Sequence, residues 1–131
     1  MNREIKFRVV DLYDNVVLDG SGFLIDNFGN LRDLDGFHEG IDQYKPIFYT
    51  GLKDKNRKEI YEGDIVNGAS FNGSYAHGEV VWWTGGWCIQ PIPNIEGITE
   101  LYLNVSTYEV IGNVYENKDL IEKLYDDKKN E

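Results

Sequence analysis

Turn signals recur at short intervals along this chain, and that spacing leaves room for little but short strands. Asp14-Asn15, Asp19-Gly20-Ser21-Gly22, Asn27-Phe28-Gly29-Asn30 and Asp35-Gly36 punctuate the first third, and Asn72-Gly73-Ser74 and Thr84-Gly85-Gly86 the middle. Gly, Asn and Asp dominate turns because they tolerate positive φ and because short polar side chains bond nearby backbone amides. The runs between these signals are rich in Val, Ile, Tyr, Phe and Trp. Such runs at such spacing predict a mainly β fold of many short strands.

Ile5, Phe7 and Val9 alternate with Lys6 and Arg8, the period of a half-buried strand. Val16-Val17-Leu18 and Phe23-Leu24-Ile25 read as the next strands. Residues 31–46 stay open between a short helix carrying Leu31, Leu34, Phe37 and Ile41 and an irregular acidic segment. The charged stretch 52–59 reads as an exposed turn, after which Gly63 turns the chain and Ile65-Val66 begins a strand. Residues 78–83 and 87–92 flank Thr84-Gly85-Gly86 and form the clearest hairpin, read as a three-residue loop with glycine where φ must be positive. Leu101–Val105 alternates again, and Tyr108–Tyr115 is the last strand. A helix is predicted over 117–128, with Asn117 as N-cap, Asp119 in the first turn, and Leu120, Ile121, Leu124 and Tyr125 on one face.

A length of 131 residues fits one compact domain or two small subdomains sharing a core. Cys88 is the only cysteine, which excludes an intrachain disulfide and a cysteine zinc cluster. The amino terminus has no apolar signal core and no apolar run approaches the roughly 18 residues of a membrane span, so a cytoplasmic location without membrane attachment is expected. The net charge is −10, and residues 76–117 hold no Lys or Arg. Nucleic-acid binding draws on cations that neutralise phosphates, so this balance argues against it. The acidity serves solubility, or it attracts a basic partner or mimics nucleic acid.

Two segments carry a resemblance. Tyr49–Val66, with Tyr61-Glu62-Gly63-Asp64-Ile65-Val66 at its end, and Glu109-Val110-Ile111-Gly112-Asn113-Val114-Tyr115-Glu116-Asn117 resemble, in order and separation, the YopX family of bacteriophage and prophage proteins. The opening Arg3-Glu4-Ile5-Lys6-Phe7-Arg8 is similar to that family's start, so the likeness spans nearly the whole chain. Arg57 departs from the glycine usual in its turn, and Lys118 from the proline that often precedes the final helix. The resemblance implies a smaller α+β part over 1–56 and an SH3-like barrel with its terminal helix over 57–131. It also implies a tendency to form homo-oligomers with swapped segments. It implies no activity.

Within the first segment, Asp64 is placed to accept backbone amides of its own turn while Ile65 and Val66 enter the barrel. The functional alternative makes Tyr61, Glu62 and Asp64 one wall of a ligand groove. Trp82 and Trp83 point to opposite faces of a regular hairpin, so one is expected in the core and the other exposed or at an interface. With Trp87 they form a candidate partner-binding group. Lys53, Lys55, Arg57 and Lys58, diluted by Asp54 and Glu59, read as a solvated turn or as a dock for an acidic surface, another copy of this chain included. His38 and His77 lack metal-ligand spacing, and Cys88 reads as a small buried side chain. No phosphate loop, nucleophile elbow or dinucleotide fingerprint is present, so no cofactor and no catalytic residue is assigned.

Three functions remain in view. The first is a non-enzymatic, homo-oligomeric module binding a host or phage protein, with a purely structural oligomer as its variant. The second is an acidic decoy of a nucleic-acid-binding protein. The third is a small enzyme with an unrecognised site.

Overall fold

In the computed structural model of the protein the residues described are 6–34, 41–69, 75–92, 99–100 and 107–129. The alternating amino-terminal run becomes strand β1 (Phe7–Asp11). Val9 and Val10 are both fully buried although they point to opposite faces, so this strand is covered on both sides rather than half-buried. The cause is its place in the sheet. It lies between β2 (Val16–Asp19) and the ten-residue β5 (Tyr44–Lys53), antiparallel to both, and β5 pairs in turn with β6 (Glu59–Tyr61).

Of the ambiguous stretch after Leu31, the described ends are a strand and a short turn. Leu31–Asp33 is strand β4, paired with β3 (Phe23–Ile25), and Ile41–Gln43 forms a single 3₁₀ turn leading into β5. Phe23 of this hairpin packs its ring 5.1 Å from that of Tyr44, against the four-stranded sheet. Residues 35–40, with Phe37 and His38, lie outside the described residues, as do Leu101–Val105.

Strands β7 (Asp64–Ala69), β8 (Tyr75–Trp83), β9 (Gly86–Pro91) and β10 (Thr99–Glu100) form a meander, and β11 (Glu109–Asn113) returns beside β7. The fold is mainly β, and this sheet curls into a half-barrel, a shape consistent with the SH3-like barrel the resemblance implies. Its core holds Ile60, Val66, Val80, Ile89, Tyr108 and Val110, with Leu52 and Trp87 packed against it. A second cluster of Val10, Ile47, Tyr49 and Tyr61 belongs to the four-stranded sheet.

The two sheets are joined where β6 passes into β7. Glu62 N–H donates to Phe48 C=O and Gly63 N–H to Val80 C=O, each at 2.9 Å, so two consecutive amides bond to different sheets. Gly63 takes φ 85, and a Cβ there would lie 2.7 Å from the Tyr115 ring. Only glycine meets both conditions without strain. The chain ends in helix α1 (Lys118–Lys129), whose first carbonyl acceptor is Asn117, bonded by Leu120 N–H at 3.1 Å. The Asn117 side chain accepts instead from Asn113 N–H at 3.0 Å, tying the end of β11 to the helix start.

Side-chain carboxylates hold the turns. Asp11 Oδ1 accepts from Tyr13 N–H at 3.0 Å and from the Gln43 side chain at 2.9 Å. Asp19 accepts from Ser21 N–H at 2.9 Å, and Asp26 from the amides of Phe28 and Asn30, both at 2.9 Å. Each removes orphan amides that a turn otherwise leaves to water. Part of the acidic excess is therefore turn chemistry.

Candidate functional site

The Tyr61–Asp64 stretch is built inward. Tyr61 is 3% exposed, and its ring centroid lies 5.5 Å from that of Tyr49. The Arg8 guanidinium sits 4.0 Å above the Tyr61 ring, a cation–π contact across β1, β5 and β6. Glu59 completes the cluster, accepting from Lys6 Nζ at 2.6 Å and from Tyr61 Oη at 3.4 Å. The Lys6 hydrogen bond chiefly holds the Glu59 carboxyl below its ordinary value.

Asp64 is 7% exposed and accepts the Tyr61 backbone N–H at 2.8 Å. It thus closes its own turn. Burial pushes its carboxyl up to about 6, with the Tyr61 amide, Arg8 and Lys58 opposing. Glu62, half-buried in the link, is the member of this stretch turned most toward solvent. Near it Lys45 Nζ donates to Tyr115 Oη at 3.0 Å. Burial raises the Glu79 carboxyl, Lys45 opposes that shift, and the Glu62 charge adds to it.

The tryptophans sit elsewhere, at the β8–β9 tip. Trp83 pairs with Gly86, and Thr84 and Gly85 between them have φ 43 and 85. Two consecutive positive φ values define a two-residue type I′ turn. The three-residue loop expected from the sequence is corrected, because Gly86 belongs to β9. Trp82 lies opposite Trp87, with ring centroids 5.0 Å apart and planes at 78°, an edge-on pair.

Neither Trp82 nor Trp83 is in the core, contrary to the alternation argument: they are 54% and 55% exposed. The reason is reach. The last β7–β8 pair is Ile65 with Glu79 and Val80 C=O is still held by Gly63 N–H, so residues 81–83 extend past the end of β7 with β9 beside them. Trp87 is the half-buried member, packed against the half-barrel core. The structure therefore brings Tyr61 and Asp64 together in the interior and the three tryptophans together at the tip.

Sequence reasoning missed Asp54. Its turn reads as solvated, yet Asp54 is 6% exposed. It accepts from Asn56 N–H at 2.8 Å, Lys58 N–H at 2.9 Å and Val110 N–H at 2.9 Å. The Asp-x-Asn spacing at a turn start was the available signal. Arg57 in the same turn has φ 67. Lys53, Lys55, Arg57 and Lys58 are exposed around it, with Lys55 Nζ 3.6 Å from Glu109. Cys88 is buried in β9. Among the described residues no group of three or more His, Cys, Asp or Glu is arranged to hold a metal ion, and no helix is long and apolar enough to cross a membrane.

The fold and this surface define a mainly β module: two sheets stitched at Glu62-Gly63, a clamped basic turn and a protruding aromatic hairpin. The chain belongs to the YopX protein family, which matches it over residues 6–122. Two solved structures share the fold. One is protein EF1440 from Enterococcus faecalis, 24% identical, with a TM-score of 0.62 over 92% of this chain and 99% of that one. The other is protein yopX from Bacillus subtilis, 21% identical, with a TM-score of 0.60 over 91% and 98%. No curated protein matches the chain.

Proposed function

We propose that this chain is a non-enzymatic interaction module of phage or prophage origin. It acts in the bacterial cytoplasm, assembles with copies of itself and binds a host or phage protein. The observation that carries the reading is the Trp82–Trp83 tip. Two adjacent indoles, each more than half exposed, stand at a two-residue turn, and Trp82 is braced edge-on by Trp87. Tryptophan is the residue type most enriched at binding hot spots, and a braced aromatic loses little freedom on docking. Tyr61, Glu62 and Asp64 lie in the link that joins the sheets, where Asp64 accepts the Tyr61 amide, Glu62 N–H bonds β5 and Gly63 N–H bonds β8.

The charge pattern supports a protein partner over nucleic acid, since residues 76–117 offer no cation to phosphates. The acidic-decoy reading gains less support. Asp11, Asp19, Asp26 and Asp54 are engaged by the chain's own amides, which leaves fewer free carboxylates to imitate a phosphate ladder.

The test is an affinity pull-down from lysate of a phage-bearing host, at low and high salt, with mass spectrometry of the retained proteins. The reading predicts one stoichiometric foreign protein with the wild type and its loss with Trp82→Ser/Trp83→Ser. Recovery of the same protein with both forms would remove the tip from the account.

A further inference from the structure

We propose that Arg8, seated on the Tyr61 ring, anchors a binding site for an oxyanion, the carboxylate or phosphate group of a small ligand. The site lies on the four-stranded sheet and does not depend on the tryptophan tip.

A guanidinium carries five N–H donors in a rigid fork. Arg8 holds its fork 4.0 Å from the Tyr61 ring centroid. Among the described residues it donates no hydrogen bond and forms no ion pair. The residue is half-buried, yet the sealed side-chain atoms without a partner are Asn67 Oδ1 and Trp87 Nε1. The Arg8 nitrogens are therefore open to water, and to anything dissolved in it.

The chain's own carboxylates around Arg8 are engaged elsewhere. Asp19 stands opposite Arg8 in the β1–β2 pair, but it accepts from the N–H and the hydroxyl of Ser21. Glu59 takes Lys6 Nζ on one oxygen at 2.6 Å and Tyr61 Oη on the other at 3.4 Å. Asp64 accepts the Tyr61 amide at 2.8 Å. Arg8 acts on Glu59 and Asp64 by charge through space, without an ion pair to either. An arginine kept only to neutralise one of them would gain more by bonding it directly.

The neighbours suit an anion. The rings of Tyr49 and Tyr61 lie 5.5 Å apart, and Lys6 Nζ sits 5.6 Å from the Tyr49 centroid, so two cations rest on adjacent rings. Lys58 acts on Asp64 as Arg8 does, which adds a third cation to the neighbourhood. A guanidinium already seated on a ring loses little freedom when it binds. Its fork matches the paired oxygens of a carboxylate or phosphate with two parallel hydrogen bonds. The net charge of −10 repels anions at long range, but at physiological salt screening acts over about 8 Å and the local cations decide.

Nuclear magnetic resonance of the nitrogen-labelled full chain tests this, with sodium phosphate and sodium acetate titrated separately against sodium chloride at equal ionic strength. The readouts are the Arg8 Nε–H resonance, identified by its absence in Arg8→Gln, and the Tyr61 backbone amide. The proposal predicts a saturable shift of both with phosphate or acetate and none with chloride, and the tighter anion names the group. Arg8→Gln should abolish the saturable shift at the Tyr61 amide. Arg8→Lys keeps the charge beside Asp64 but not the fork, and should weaken binding about tenfold. That variant also carries the test if the glutamine variant does not fold. No saturable shift with either anion, a shift that chloride reproduces, or binding unchanged in either variant overturns the site, and leaves the reading of the tip untouched.

Discussion

Asp54 Oδ2 accepts the backbone N–H of Val110 at 2.9 Å across 56 residues of sequence. This one bond ties the β5–β6 turn to the edge of the half-barrel. It also occupies an outward amide of the edge strand β11, which would otherwise invite another strand. Glu116 does the same on the other sheet, where its Oε2 accepts Val17 N–H of edge strand β2 at 3.0 Å.

Removing the Asp54 clasp should therefore be costly. Asp54→Ala strands three backbone amides, and a loss on the order of 2–4 kcal/mol is expected, with Asp54→Asn between it and the wild type. Urea unfolding followed by tryptophan fluorescence measures this. A loss near zero would mean that water replaces the carboxylate without penalty.

Opening the β2 edge should show locally. Glu116→Ala frees the Val17 amide, and its hydrogen exchange should speed up about tenfold while global stability changes little. Unchanged exchange at Val17 would show that Glu116 does not guard the edge.

Left-handed backbone predicts substitutions of opposite sign. Arg57 at φ 67 and Thr84 at φ 43 pay for side chains in a region that suits Gly and Asn, so Arg57→Gly and Thr84→Asn should each stabilise by about 0.5–1 kcal/mol. Gly63→Ala should instead destabilise by about 2 kcal/mol or more, because the new methyl meets the Tyr115 ring as well as the φ of 85. Thermal unfolding of the three variants decides the signs.

The carboxylates set opposing pH trends. Asp11, Asp19 and Asp26 are lowered from 3.8, chiefly by the Gln43 side chain, by Ser21 and by the Asn30 amide respectively. Burial pushes Asp54 up, but its three backbone amides outweigh that and hold it low. A group lowered in the folded state stabilises above its unfolded value and loses that contribution as pH falls through the folded one. Asp64 runs the other way. Raised from 3.8 to about 6, chiefly by burial, it favours the folded state most below 3.8, and that contribution is lost as pH rises toward 6. The Asp64 contribution is on the order of 2–3 kcal/mol. Acidification from pH 7 to 5 should therefore stabilise the wild type, and below pH 4 stability should fall. Asp64→Asn should flatten the first trend, read from urea midpoints at pH 4.5, 5.5 and 7.5. An unchanged slope in that variant would assign the trend to other groups.

Much of the fold could be read from local pattern. A period-two run places β1, short apolar runs beside turn signals place β2, β3 and β7, the i, i+3, i+4 spacing of Leu120, Ile121 and Leu124 places the helix, and turn residues place the β8–β9 hairpin. What escaped depends on contacts distant in sequence. Asp54 looks like a surface charge until Val110 arrives beside it. The exposure of Trp82 follows from β7 ending at Asp64, a register that no alternation rule supplies. The type I′ turn is hard to read from sequence because Thr84 is a poor residue for positive φ, which makes the loop look one residue too long. Tyr61 and Asp64, weighed as a groove wall, are held inside by Tyr49, Arg8 and the Tyr61 amide.

The central claim, that the Trp82–Trp83 tip is a contact surface, is tested most directly by acrylamide quenching of tryptophan fluorescence along a dilution series. The account predicts that quenching is shallow in the assembled protein and steepens on dilution as both indoles return to solvent. Trp82→Ser/Trp83→Ser should show only the constant quenching of Trp87. Quenching of the wild type that is equally steep at every concentration would contradict it.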